Sequence, residues 1–270
     1  MDKTDHAAIG FREMDELAAG RSPVHSLHPL AKLITTFVYI FVTVSFHRYD
    51  LSGLIVMVLY PALMFTVSGI PVSTCFYKLR FVLPLVLAVG LFNPFFDREP
   101  LLTIGSLGIS GGMISMTTLM LKGIFCLTAS FLLAATTPMD SVCAALRKIR
   151  VPGMIVTLLL LTYRYISVML EELSVMTTAY KLRAPGQKGI RYNAWGSFLG
   201  QLLLRTIDRG QELFESMQLR GFQGEFWYAD VKKARMTDYL FTIVTVILFV
   251  LCRRFSIAVL TGNLITGGAV

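Results

Sequence analysis

Long apolar runs restrict the fold of this chain more than any other feature. They occupy residues 30–47, 51–69, 81–96 and 113–135. A helix that crosses a bilayer needs about 20 mostly apolar residues, and irregular backbone cannot face lipid because its amide groups would stay unpaired. A shorter run at 238–251 can cross only if Arg253 and Arg254 reach the interface and the run to Leu260 contributes. With 54% hydrophobic and 16% charged residues, the sequence predicts an all-α, polytopic membrane protein with about five transmembrane helices.

Basic residues are concentrated in one block. Residues 140–235 carry 14 lysines and arginines against eight aspartates and glutamates, whereas Arg98 is the one basic residue of the loop at 97–112. Lysine and arginine collect on the cytoplasmic side because their passage across the bilayer is opposed. The pattern predicts a multi-pass protein of the cell membrane with a cytoplasmic N-terminus. The last span then ends outside, where Arg253 and Arg254 depart from the rule. Nucleic-acid binding is a minor alternative, because no aromatic-basic module accompanies the charge.

These signals divide the chain into four segments. Residues 1–29 form a cytoplasmic N-terminal segment, which contains acidic residues and no apolar core and is therefore not expected to be a cleaved signal peptide. Residues 30–135 hold the first four spans. Residues 136–235 form a cytoplasmic domain, and residues 236–270 form the final span and a C-terminal tail.

Two long amphipathic helices are predicted inside the cytoplasmic domain. The first follows Val151-Pro152-Gly153, runs from residue 154 to residue 183 and stops at Ala184-Pro185-Gly186. The second runs from 193 to 220 and would be about 42 Å long at 1.5 Å per residue. Both end on leucine, arginine and a small residue. We call these two endings the tips: Leu182-Arg183-Ala184 and Leu219-Arg220-Gly221.

Two explanations account for the tips. Helices often end in a glycine that turns left-handed, and a basic residue in the last turn complements the carbonyl end of the helix. Ala184 followed by Pro185 is a poorer cap of this kind, and yet the order is kept. An arginine beside a residue without bulk also suits docking into a groove, since the guanidinium donates bidentate hydrogen bonds and the neighbour permits close backbone approach.

Several short fragments of the chain resemble one membrane protein family in their order and spacing. They are Ser22-Pro23-Val24-His25, His28-Pro29-Leu30-Ala31-Lys32, Thr136-Thr137-Pro138, Val151-Pro152, Thr162-Tyr163-Arg164-Tyr165, Glu171-Glu172 and the two tips. In this combination the sequence resembles the transmembrane T components of energy-coupling factor transporters, in the branch typified by the cobalt transporter subunit CbiQ. The tips of that family read Ala-Arg-Gly. This chain keeps both arginines but has Leu182 and Leu219 in the alanine places and Ala184 in the first glycine place.

The resemblance implies a non-catalytic scaffold in the lipid membrane that needs no cofactor. Its two cytoplasmic helices, the coupling domain, would cross and rest one tip on each of two CbiO-like ATP-binding-cassette subunits. Closure of those ATPases around ATP would move the tips. The motion would pass to a separate CbiM-like substrate-binding membrane subunit, with or without a CbiN-like small subunit. Cobalt or nickel is the favoured cargo, and a vitamin-type cargo shared among several substrate-binding proteins is the alternative.

Other residues are weaker candidates. Gly210 marks either a close helix crossing or a tolerated glycine. Lys122 lies in a predicted span, where a charge is costly; it either bonds carbonyls at a helix crossing, contacts the substrate-binding partner or reaches the interface. His25 and His28 lie in a non-helical segment beside prolines, where they need not converge, so no metal site is expected. The four cysteines show no CxxC pairing and are not expected to form disulfides.

Two other classes of function fit the sequence less well. A self-sufficient channel or secondary transporter needs paired ionisable groups or broken helices in its spans, and Lys122 and the Asn93-Pro94 step are the only candidates. A membrane enzyme needs histidines or acids grouped at the bilayer face, which their positions do not provide. The sequence also lacks the GxxxxGK[ST] phosphate-binding motif, so ATP would be hydrolysed by another subunit.

Overall fold

The computed structural model describes residues 3–48, 50–96, 100–104, 107–187, 189–224 and 235–254. Within them the chain is almost wholly helical, which confirms the all-α class. The helices are α1 (Lys3–Ala18), α2 (Pro23–Ser26), α3 (Pro29–Ser45), α4 (Leu51–Val56), α5 (Leu59–Ser68), α6 (Val72–Leu79), α7 (Leu83–Phe96), α8 (Gly111–Thr136), α9 (Met139–Lys148), α10 (Gly153–Arg183), α11 (Trp195–Leu219) and α12 (Met236–Arg254). A short antiparallel hairpin of β1 (Pro100–Ile104) and β2 (Leu107–Ser110) is an element that the sequence analysis did not predict.

The chain forms two compact units. The first, here the helical unit, contains Met1–Glu16 and Met139–Val231, and the second, here the bundle unit, contains Leu17–Pro138 and Lys232–Val270. The four segments predicted from the sequence, with their membrane and cytoplasmic placement, remain a prediction.

In the bundle unit, α3 packs antiparallel against α8. Near the start of α3, the Nζ atom of Lys32 donates to the carbonyl oxygen of Thr136 at 2.7 Å. Just beyond the end of α3, the carbonyl oxygen of Phe46 accepts from Lys122 of α8. Helix α12 packs against α3 as well. The shared core consists of buried residues from several helices: Tyr39, Val42, Phe46, Leu54, Met57, Phe125, Ala129, Phe249 and Cys252.

One buried carboxylate ties the starts of α3 and α12 together. Asp238 accepts a hydrogen bond from the backbone N–H of His28 at 3.2 Å and another from that of Arg235 at 2.8 Å. The Nδ1 atom of His28 accepts from the N–H of Leu30 at 3.1 Å, which caps α3. Proline at the first position of α3 has no N–H to leave unpaired. The fragment from His28 to Lys32 is thus explained by helix capping and interhelix hydrogen bonds.

The predicted spans correspond to helices of unequal length. Among the described residues, three helices are long and apolar enough to cross a membrane: α8, α10 and α12. The run at 51–69 is broken into short helices. The segment Gly53–Ser68 meets Val72–Leu79 at an angle of 114°, and this bent pair would make a fourth span if both parts belong to a single crossing. The runs at 30–47 and 81–96 form α3 and α7, of 17 and 14 residues. Multiple crossing of a membrane is supported, and α10 is a candidate that the sequence analysis placed outside the bilayer.

Glycines allow α7 and α8 to approach closely. A Cβ atom at Gly123 of α8 would collide with the side chain of Val86, and one at Gly90 of α7 would lie 2.6 Å from Cγ of Met120. Each glycine therefore faces a larger side chain of the opposite helix. Small residues at such crossings bring helix backbones together and increase van der Waals contact, which is the main source of helix association in lipid.

We expect Gly123→Leu to destabilise the chain by about 2 kcal/mol, because a valine with a stiff side chain occupies the space that leucine needs. Thermal unfolding of the purified chain in detergent measures the change. Gly210→Leu is the matched control, since no atom lies within 4 Å of a Cβ placed at Gly210. Equal unfolding temperatures for the two variants would contradict the close packing of α7 and α8.

Candidate functional site

The second tip ends α11 with a Schellman cap. The N–H of Gly221 donates to the carbonyl of Gln218 at 2.9 Å, and the N–H of Phe222 donates to that of Met217 at 3.0 Å. Gly221 has φ +80°, which a residue with a side chain rarely adopts. Glycine is therefore required here by backbone geometry, as the capping explanation states.

The first tip has a different backbone. Ala184 ends α10 with φ −128° and donates from its N–H to the carbonyl of Tyr180 at 3.1 Å, and the left-handed glycine comes only at Gly186. The hydroxyl of Tyr180 then donates to Oε1 of Gln187 at 3.2 Å and accepts from the N–H of Arg191 at 3.3 Å. Helix capping thus explains the second tip and does not explain why the first has the same residue order.

Both tips present a leucine and an arginine to the surroundings. Leu182 is 78% exposed and Leu219 is 90% exposed. Arg183 and Arg220 are exposed as well, and among the described residues neither side chain has a hydrogen-bond or ion-pair partner. Protein interfaces favour arginine, and burial of the neighbouring leucine against a partner would add apolar contact to the directed hydrogen bonds of the guanidinium.

An ion pair joins α10 and α11 away from the tips. Arg205 of α11 pairs with Glu172 of α10. From this pair to the tip, α10 extends about 17 Å and α11 about 22 Å at 1.5 Å per residue. Gly210 lies outside this contact, with open space around it in the described chain. Its role as a crossing point or partner contact stays a prediction.

Helix α10 carries polar contacts to other helices of the same unit. Arg164 lies 3.3 Å from Asp140 of α9, and Glu171 lies 2.6 Å from Arg12 of α1. The hydroxyl of Tyr163 donates to Asp15 of α1. The two sequence fragments that contain Arg164 and Glu171 are therefore the places where α10 contacts α9 and α1. The partners on α1 and α9 could not be found from the sequence, because ion pairing between distant helices leaves no local signal.

The hairpin of α9 and α10 has a small apolar core. Cys143 of α9 packs with Val156 and Leu160 of α10. Burial raises the pKa of the Cys143 thiol, and Asp140 acts in the same direction. The thiol therefore stays protonated at neutral pH and contributes packing rather than reactivity.

Helix α9 ends with the same cap as α11, but with arginine in the glycine place. The N–H of Arg150 donates to the carbonyl of Arg147 at 3.1 Å and that of Val151 to Leu146 at 3.3 Å, while Arg150 has φ 68°. We expect Arg150→Gly to stabilise the chain by about 1 kcal/mol, because glycine adopts this conformation without a Cβ clash. The unfolding temperature in detergent measures it. Arg150→Ala removes the charge and keeps the Cβ atom, so it should give no gain; an equal gain would assign the effect to charge.

Lys122 binds the carbonyl end of α3. Its Nζ atom donates to the carbonyl of Val44 at 3.1 Å and to that of Phe46. Arg253 of α12 donates to the carbonyl of Ser45 at 3.0 Å and lies 5.0 Å from the centre of the Phe46 ring. Both cations complement the negative end of α3. Of the three alternatives for Lys122, this geometry is the one in which the side chain bonds carbonyls where helices meet. A contact of Lys122 with a partner protein stays a prediction.

His25 and His28 serve local structure. The hydroxyl of Ser22 lies 2.7 Å from Nδ1 of His25, whose Nε2 lies 3.0 Å from the carbonyl oxygen of Leu17. Since a carbonyl only accepts, Nε2 carries the proton and donates to Leu17, and the hydroxyl donates to Nδ1. The nitrogens of His25 are thus engaged, and Nδ1 of His28 accepts from Leu30.

Comparison with known proteins relates the chain to transport components. The cobalt transport protein CbiQ of Rhodobacter capsulatus is 34% identical over 116 residues, which are 42% of this chain and 47% of that protein. The nickel permease LarQ of Lactiplantibacillus plantarum is 26% identical over 43% of this chain and 42% of its own length. The energy-coupling factor transporter transmembrane protein EcfT of Bacillus subtilis is 26% identical over 76% of this chain and 82% of its own length.

The chain thus matches about half of the length of CbiQ and LarQ and most of the length of EcfT. A family model described as cobalt transport protein, CbiQ, matches residues 20–228, which include most of both units and both tips. A match of this extent, with the two arginine-ended helices inside it, shows that the chain belongs to the CbiQ family of cobalt transport proteins.

Proposed function

We propose that this protein is the non-catalytic transmembrane coupling subunit of an energy-coupling factor importer. The observation that carries the proposal is the pair of long helices, α10 and α11, each ending in an exposed leucine and an exposed arginine. Each tip would bind one ATP-binding-cassette subunit, and the cargo would be cobalt or nickel held by a separate substrate-binding membrane subunit. The names of the relatives CbiQ and LarQ support this cargo.

The two helices have the mechanical properties that coupling requires. A long helix transmits a displacement along its axis without unfolding, because its backbone hydrogen bonds are internal. The pair between Glu172 and Arg205 connects the two helices at one point. Motion of one tip would therefore reach the other helix through this contact, and both tips would respond together to closure of the ATPases.

The contacts of α10 support its placement outside the hydrocarbon. Its composition would allow a span, but the side chains of Arg164 and Asp140 are 60% and 61% exposed where they meet. Ionic groups in lipid are costly unless they face a protein interior or water. Arg164 interrupts the apolar part of α10, and the uncharged residues before it, 154–163, extend for about 15 Å, half of a bilayer core. These features favour α10 in the cytoplasm or at the interface, with the N-terminus on the same side.

Isolation of the native membrane complex tests the proposal. The tagged chain is purified in mild detergent, and the co-purifying subunits and bound metal are identified. We expect two copies of ATP-binding-cassette subunits, a substrate-binding membrane protein and cobalt or nickel. A chain that purifies alone and transports a solute by itself in liposomes would contradict the coupling role and favour a channel or secondary transporter.

A general coupling subunit that serves several vitamin-binding proteins is the second candidate. It is favoured by the relatives named EcfT, which match 76% of this chain against 42% for CbiQ. The two candidates differ in the partner that co-purifies. A single metal-binding partner supports the first, and a mixture of substrate-binding subunits that compete for one chain supports the second.

A further inference from the structure

Helix α1 lies outside the stretch that the family model matches. The match begins at residue 20, whereas α1 covers Lys3–Ala18. By packing, Met1–Glu16 belongs to the helical unit together with Met139–Val231, although it precedes the bundle unit in the chain. Membership of the family therefore does not account for the position of α1 beside α10.

Side chains of Phe11, Arg12 and Asp15 in α1 contact α10. Arg12 lies with Nη2 at 2.6 Å from Oε1 of Glu171. Asp15 accepts from the hydroxyl of Tyr163. The ring of Phe11 lies 4.9 Å from the ring of Tyr163, centre to centre, at a tilt of 41°. Asp15 comes three residues after Arg12 and four after Phe11, so the three side chains lie on one side of α1.

These contacts meet α10 at two separate points. Tyr163 and Glu171 are about 12 Å apart along the helix at 1.5 Å per residue. The first part of α10 is held by α9 through Cys143 and Asp140, and the contacts with α1 add a second hold farther along the helix, at Glu171. From Glu171, α10 continues for about 18 Å to Arg183, so a small change of direction at the contacts becomes a larger displacement at the tip.

The contacts are also weak enough to be reversible. The side chains of Arg12 and Glu171 are 65% and 62% exposed, and ion pairs with this exposure contribute little because water and salt screen them. A helix of about 16 residues is marginal in water without a partner. Helix α1 is therefore expected to exchange between a docked helix and an undocked, frayed segment.

We propose that α1 is a brace for α10, in which Arg12 and Asp15 are positioning residues that set the direction of α10 and thereby the place of Arg183. The brace does not require partner subunits, because both helices belong to this chain. Its effect on transport rests on the proposed function, in which the tip binds an ATPase. Docked α1 keeps the first tip in one place, and undocking allows it to move.

Hydrogen–deuterium exchange on the full chain in detergent tests the brace. Arg12→Glu places two carboxylates together at Glu171, and we expect exchange of the amides of residues 9–18 to rise about threefold as α1 undocks, because exposed charge pairs have small effects. The exchanged pair, Arg12→Glu with Glu171→Arg, should restore protection. Arg209→Glu, on an exposed pair of α11, is the matched control and should leave α1 unchanged. Equal exchange in Arg12→Glu and the unaltered chain, or no recovery in the double variant, would overturn the proposal.

Transport measurements separate the brace from general stability. In the reconstituted complex, Arg12→Glu should keep its ATPase subunits but move about fivefold less radioactive Co²⁺ per ATP hydrolysed, and the double variant should recover. If Arg12→Glu increases amide exchange in α1 but leaves the amount of Co²⁺ moved per ATP hydrolysed unchanged, the proposed effect of the brace on coupling is wrong. If the unaltered chain binds no ATPase, the proposed function fails, while the exchange experiment still decides whether α1 braces α10.

Discussion

Replacing Arg183 and Arg220 together by alanine is expected to remove the ATPase subunits from the complex while the chain stays folded in the membrane. Both side chains are exposed and have no partner among the described residues, so their loss costs the isolated chain little. At an interface, a truncated arginine that anchors binding costs about 2 kcal/mol or more, which is about 30-fold in affinity for each tip. Co-purification of the ATPases and ATP-driven uptake of Co²⁺ measure the effect.

A second pair of exposed arginines in the same domain provides the control. Arg191→Ala with Arg209→Ala removes the same charge but leaves both tips unchanged. This variant should retain the ATPases and most of the uptake. Full assembly and uptake in the tip variant would show that the arginines are only helix-end residues. The single variants Arg183→Ala and Arg220→Ala should each weaken one of two binding sites.

Asp238→Ala is expected to destabilise the chain by about 3 kcal/mol. The carboxylate is 7% exposed and accepts backbone hydrogen bonds from His28 and Arg235. Hydrogen bonds to a charged group contribute about 1.5–3 kcal/mol each, and removal of the acceptor leaves a donor unpaired. The start of α3 would lose its attachment to α12. A lower unfolding temperature in detergent, together with proteolysis between α2 and α3, checks the prediction.

Asp238→Asn is the matched control for this carboxylate. It keeps the shape and one acceptor oxygen but loses the charge, so its unfolding temperature should lie between those of the unaltered chain and Asp238→Ala. If asparagine and alanine are equally destabilising, both carboxylate oxygens are needed as acceptors, since the NH2 group of asparagine would face one of the two N–H donors. If neither changes stability, the attachment of α3 to α12 does not depend on Asp238.

The long helices could be predicted from the sequence because their signals are local. Helix α10 was predicted from residue 154 to Arg183 and is Gly153–Arg183. Helix α11 was predicted at 193–220 and is Trp195–Leu219. Apolar residues at helical spacing mark the body of a helix, and a proline or glycine marks its end. These properties depend on neighbours within a few residues along the chain.

The contacts between helices could not be predicted in the same way. Nothing near Glu171 or Glu172 indicates that the first pairs with Arg12 and the second with Arg205. The run at 51–69 is long enough for one span, but the chain breaks it near Met57, whose carbonyl accepts from the hydroxyl of Tyr39. The β1–β2 hairpin lies in a stretch that was assigned to a loop, since its strands are too short for a clear alternation.

By itself, the sequence determined the helical class, the presence of membrane-length apolar runs and the two Leu-Arg endings, because each depends on composition or on spacing within a single helix. Only the tertiary structure decided that the second ending is a Schellman cap and the first is not, that Lys122 holds the carbonyl end of α3, and that side chains of α1 contact α10. The order Leu-Arg-small residue fits more than one backbone conformation at a helix end, and the meeting of distant side chains depends on how the whole chain packs, so no short stretch of residues decides either one.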